Sequence, residues 1–131
     1  MKKLNNFIDG KSLPAKSGAT SEIINPATGA AYATAPVSGA ADVDSALSAA
    51  SKAFIEWRET TPAERQRALN KIADALEDRS DELIAIEVEN TGKPISLTTS
   101  EEVPPMLDQI RFFAGAARNL EGKSAGEYMR G

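Results

Sequence analysis

The apolar residues of this chain change their spacing once, near Ser38-Gly39. Before that point they come in short runs broken by turn chemistry. Phe7-Ile8 runs into Asp9-Gly10, a dipeptide suited to a tight hairpin. A polar turn surrounds Ser17-Gly18. Ile23 and Ile24 lie in a run that ends at Pro26, which pushes Asn25 toward extended geometry. Thr28-Gly29 then turns the chain into a strand of small residues over 31–37. A meander of two or three strands is expected over 1–38.

After Ser38-Gly39 the spacing becomes three and four residues. Val43, Leu47, Ala50, Phe54 and Trp57 fall on one helical stripe. Ser38 or Gly39 caps its start, with Asp42 and Asp44 in the first turn, where the helix dipole favours carboxylates. A second helix opens at Thr61-Pro62-Ala63-Glu64, which combines an N-cap, a proline at the first position and a capping-box Glu. Its stripe is Leu69, Ile72, Ala73 and Leu76. Ser80 is expected to cap a third helix, with Leu83, Ile84, Ile86 and Val88 on its apolar side. Gly92 should end it and Pro94 should keep it from resuming.

A fourth helix is expected from about Ser100. Pro104 and Pro105 must then sit in its first turn, because further inside they would break the hydrogen-bond ladder. Its stripe reads Met106, Ile110, Phe113, Ala117 and Leu120, and Gly122 suits its C-cap. Gly115 in mid-helix costs helix propensity, which a close backbone approach to another element would offset. The organisation expected is strands and turns over 1–38, helices over 39–122 and a connector over 123–131. That makes an α+β arrangement of a short meander followed by four amphipathic helices. Their stripes exceed what so short a meander can cover, so further residues are expected to complete the core.

Composition narrows the chemistry. Net charge is -4, no run of Lys or Arg exceeds two residues, and no apolar run is long enough for a bilayer. Neither a nucleic-acid partner nor a membrane partner is expected. Met1-Lys2-Lys3 is not followed by an apolar signal segment, so a cytoplasmic location is expected. The chain has no Cys and no His, which removes thiol nucleophiles, the commonest general base and the commonest metal ligand.

Three blocks stand out: Asn25-Pro26-Ala27-Thr28-Gly29, Thr91-Gly92-Lys93-Pro94, and Arg111 to Gly122. Each has a plain backbone reading. The first is a turn, the second a helix stop and the third an amphipathic helix with Phe112-Phe113 as core aromatics. Thr91-Gly92-Lys93-Pro94 is not a phosphate loop, which needs a further Gly before the Lys and a hydroxyl after it. No GxGxxG occurs.

Together, and in this order, the blocks resemble the N-terminal part of the NAD(P)-dependent aldehyde dehydrogenases, over essentially all 131 residues. Three stretches, Glu102 to Asp108, Arg111 to Arg118 and Ala125-Gly126-Glu127-Tyr128, are more similar to the aminobutyraldehyde dehydrogenases of putrescine breakdown, near relatives of the betaine aldehyde dehydrogenases. The resemblance implies an α/β parent enzyme in which 1–131 opens the cofactor-binding domain. It implies a cysteine nucleophile, a glutamate base and NAD-binding residues that all lie outside this stretch, so the stretch alone should be inactive. It implies assembly into a dimer or tetramer through an arm beyond Gly131.

Two sites in this stretch follow from the same resemblance. Related enzymes hold a monovalent cation on backbone carbonyls matching Ile23 and Ile24 and on an acid matching Asn90. Here the acid is an amide, which ligates without charge, and Asn90 also reads as a plain helix-end residue. Aminoaldehyde enzymes grip the substrate's amine with acidic residues near the start of the fourth helix. Glu102 is the best match and Asp108 the next, about 240° apart around a helix. The function implied is oxidation of a 4-aminobutanal-like aldehyde. The alternatives are a betaine aldehyde-like range, a non-catalytic helical interaction module, or an inactive truncation product.

Overall fold

The structure, a computed structural model, describes residues 1–119. Leu120, the Gly122 cap, the 123–131 connector and the block at 125–128 lie outside the described residues. Two compact units are present: Met1–Glu59 with Glu89–Gly92, and Thr60–Val88 with the chain from Lys93 onward.

The first unit holds five strands and a helix. They are β1 (Lys2–Lys3), β2 (Asn6–Ile8), β3 (Lys11–Leu13), β4 (Thr20–Ile24), β5 (Ala31–Pro36) and α1 (Ala40–Trp57). The Asp9-Gly10 hairpin forms as expected. It joins β2 to β3 antiparallel, with both turn residues at positive φ (53° and 72°). The other strands are not a simple meander. They form a separate sheet in the order β1-β5-β4, with β1 parallel to β5 and β4 antiparallel to it. Ala33 in the central strand is fully buried and Ala15 nearly so.

Asp42 anchors α1. It is buried, and its carboxylate accepts from the backbone N–H of Gly39 and of Lys16, each at 2.9 Å. Gly39 is therefore the N-cap, and Asp42 ties the helix start to the loop after β3. The Gly39 and Lys16 amides hold the Asp42 carboxyl below its usual range. The apolar stripe of α1 faces outward among the described residues: Leu47 is 61% exposed and Phe54 58%.

The second unit is helical: α2 (Pro62–Glu77), most of α3 (Ser80–Thr91), the short α4 (Ile95–Leu97), a π-helical turn (Thr98–Glu102) and α5 (Val103–Ala116). The α2 capping box forms. The Thr61 N–H donates to Glu64 Oε2 at 2.6 Å, and the Glu64 N–H donates to Thr61 Oγ1 at 3.3 Å. Ser80 does not cap α3. Its hydroxyl donates back to the Glu77 carbonyl at 2.8 Å, and the Leu83 N–H bonds Arg79, one residue earlier.

Helix resumes at Ile95, five residues before the expected start, because Pro94 at ψ 131° serves as an N-cap rather than as a block. The two prolines explain the π-helical turn. Pro104 and Pro105 have no N–H to offer the Ser100 and Glu101 carbonyls, and their rings crowd those carbonyls. The chain widens just before them, and the Val103 N–H reaches Thr98 across five residues. Thr98, Thr99 and Ser100 each donate a hydroxyl to the carbonyl four residues back.

The buried face of α5 is also turned from the expected stripe. Leu107 and Ala114 are buried, whereas Met106, Phe112 and Phe113 are exposed. Ala73 on α2, Ile84 on α3 and Thr98 complete the buried set among the described residues of this unit. Phe112 and Phe113 meet edge-on at 5.3 Å, on the surface rather than in a core. Nothing among the described residues lies within 4 Å of a Cβ built on Gly115, so the close approach expected there is not made.

Candidate functional site

In the first unit, two of the three sequence blocks meet. Thr91-Gly92 ends α3 with Gly92 at φ +73°, and a Cβ built there would lie 2.9 Å from Pro26 Cγ. Gly92 is thus required twice, for its left-handed backbone and for the room its missing side chain leaves. Pro26 sits in a turn that the sequence specifies locally. Asn25 Oδ1 accepts from the Ala27 N–H, and the Asn25 carbonyl accepts from Gly29.

The residues proposed for a cation lie in this unit. Ile23 and Ile24 are neighbours on β4, paired with Ala33 and Ala31, so Tyr32 between them is the extra residue of a β-bulge. The Tyr32 hydroxyl donates to Asn90 Oδ1 at 3.0 Å. That bond links the strand opposite Ile23 and Ile24 to Asn90. Tyr32 carried no periodic signal in the sequence, because a bulge is invisible to alternation.

In the second unit, Glu102 closes the π-helical turn. Its carboxylate binds the Lys93 ammonium at 2.9 Å, and Lys93 Nζ also binds Glu87 Oε1 at 3.0 Å. One ammonium lies between two carboxylates, all three partly exposed, and the two hydrogen bonds raise the Lys93 pKa above its usual value, Glu102 contributing most. The sequence marks Glu102 as a candidate but not its ion-pair partners. Glu87 and Lys93 are six residues apart across a helix stop, where no helical spacing relates them. Asp108 is not part of this group. It lines an open groove with Glu77, Ser80, Asp81, Leu107 and Arg111. Arg111 bridges Asp74 and Glu77 of α2, which holds the Glu77 carboxyl below its usual range.

Among the described residues there is no cluster of three metal-ligating acids, His or Cys, and no helix long and apolar enough to cross a membrane. The sequence carries no glycine-rich phosphate loop.

Short strands lead into amphipathic helices in an α+β arrangement, and comparison with known proteins says to which family such a chain belongs. The chain belongs to the aldehyde dehydrogenase family, whose profile matches residues 13–130. DhaS of Bacillus subtilis (strain 168), which carries an aldehyde dehydrogenase name, is 43% identical over 120 residues, covering 90% of this chain and 24% of DhaS. Human 2-aminomuconic semialdehyde dehydrogenase is 39% identical over 114 residues, 87% of this chain and 23% of the relative. The crystal structure of PnpE in complex with nicotinamide adenine dinucleotide superposes with a TM-score of 0.89 at 36% identity, covering 95% of this chain and 26% of PnpE. The chain spans about a quarter of the length of these relatives.

Proposed function

We propose that residues 1–131 open the cofactor-binding domain of an NAD-dependent aldehyde dehydrogenase that oxidises an aldehyde to its acid. The family match over 13–130 carries this reading. NAD is supported by the relatives: PnpE was solved with the dinucleotide, and a Sinorhizobium meliloti relative, 38% identical, is named NAD-dependent. The thiolate, the base and the dinucleotide contacts belong to the remainder of the enzyme, and this stretch supplies packing and the Glu102 region. The enzyme acts in the cytoplasm as a homo-oligomer, and light scattering on the full-length protein tests its assembly.

The substrate we propose is an aminoaldehyde such as 4-aminobutanal, with Glu102 as the carboxylate for its ammonium. The supporting observation is that Glu102 already holds a primary ammonium, that of Lys93, at 2.9 Å. The test is Glu102→Gln in the full-length enzyme. KM for 4-aminobutanal should rise while KM for butanal stays put, and an unchanged KM for the amine overturns the assignment. A second reading, a semialdehyde that carries a carboxylate, is favoured by the name of the human relative. The two predict opposite preferences in a panel of amino, betaine, neutral and acidic aldehydes.

A monovalent cation on the Ile23 and Ile24 carbonyls with Asn90 belongs to the same proposal. The Asn90 amide oxygen has a second lone pair beyond the one Tyr32 uses, so the donor set is compatible with a weakly held ion. A Tm that rises with added K⁺ or Na⁺, and no longer does in Asn90→Leu, is the expected result.

A further inference from the structure

We infer that Lys93 is an exchangeable internal counter-ion for Glu102, and that Glu87 is the berth to which it withdraws when a substrate amine arrives. This inference rests on the aminoaldehyde reading above. The observation behind it is the three-membered group itself. Lys93 Nζ lies 2.9 Å from Glu102 and 3.0 Å from Glu87, so two carboxylates share one ammonium. A second ammonium at Glu102 would give each of these two carboxylates an ammonium. It would not strand Lys93, because Glu87 still holds it. All three side chains are between 37% and 41% exposed, so the exchange exposes no bare charge to an apolar interior.

The backbone favours the exchange. Lys93 sits between Gly92, which ends α3, and Pro94, the N-cap of α4, so its backbone is held on both sides. Glu87 and Glu102 project from separate elements, α3 and the π-helical turn. Nζ already touches both carboxylates, so leaving Glu102 while staying on Glu87 needs no backbone movement. Lys93 and Glu87 are positioning residues in this account, and neither takes part in the chemical step.

The two partners should act with opposite sign, which a merely structural role would not produce. In the full-length enzyme, Lys93→Met removes the competitor for Glu102, and KM for 4-aminobutanal should fall about three-fold, the size expected for an exposed ion pair. Glu87→Gln removes the berth and leaves Lys93 on Glu102, and the same KM should rise by about the same factor. Lys93→Arg should stay on the wild-type side of Lys93→Met. KM for butanal should not move in any of the three. Butanal and 4-aminobutanal changing together, or Lys93→Met and Glu87→Gln shifting KM for the amine in one direction, overturns the exchange. If Lys93→Met does not fold, the Glu87→Gln result decides alone, and an unchanged or lowered KM for the amine refutes the inference. Glu102→Gln separates the two levels. An unchanged amine KM there refutes the amine site itself, whereas a raised one with Lys93→Met unmoved refutes only the exchange.

Discussion

Replacing Gly92 with alanine tests the contact between Gly92 and Pro26 in the first unit. Two separate costs are expected. Gly92 has φ +73°, and forcing an L-residue into the left-handed region costs about 1–2 kcal/mol. The new Cβ would also lie 2.9 Å from Pro26 Cγ, closer than carbon atoms tolerate, and overpacking of this kind adds about 1–3 kcal/mol. Gly29 isolates the first cost. Its φ is +71°, and nothing lies within 4 Å of a Cβ built there. Gly29→Ala should therefore lose only the backbone share.

Pro26→Ala isolates the second cost, since it removes Cγ and leaves only Cβ, at an ordinary 3.6 Å. In that background Gly92→Ala should cost no more than Gly29→Ala. The assay is a double-mutant cycle by denaturant unfolding, read from the midpoint at constant slope. A coupling of about 1–3 kcal/mol between positions 26 and 92 is expected. Equal cost for Gly92→Ala in both backgrounds would refute the steric argument. Equal cost for Gly92→Ala and Gly29→Ala would refute it independently.

Thr61→Ala should lower stability by about 1 kcal/mol through loss of the α2 capping box, and Thr61→Ser should restore most of it in the same unfolding assay. Asp42 gives a pH prediction. Its folded pKa is lowered from the ordinary 3.8, so its stabilising share is present above that value and is lost as pH falls through the folded one. Asp42→Asn should therefore be less stable than wild type at neutral pH, and the gap should close as pH falls below 3.8 in acid titrations of Tm. Arg111→Met should lower the unfolding midpoint at low salt. Because Arg111, Asp74 and Glu77 are all partly exposed, most of that difference should vanish in 1 M NaCl, where the Debye length is about 3 Å.

Local chemistry by itself determined the hairpin at Asp9-Gly10, the capping box at Thr61, the end of α3 at Gly92 and the order of strands before helices. Each of these depends on residues within a few positions of one another, and backbone preferences act over that range. The family, too, was legible in the order of the three blocks. Tertiary structure decided the rest. The parallel pairing of β1 with β5 joins residues some thirty positions apart, and nothing in either strand names its partner. On α5, Met106 and Leu107 lie 100° apart on the helix and are equally apolar, so periodicity could not choose the inward one. The neighbouring helices chose Leu107. The prolines at 104 and 105 demanded an irregularity, and only the assembled chain showed it as a π-helical turn placed before them. Glu102 was visible in the sequence as an acid near the start of the fourth helix. Its pairing with Lys93 and Glu87 was not, because a stopped helix, a proline and a widened turn bring those charges together, and no sequence spacing encodes that geometry.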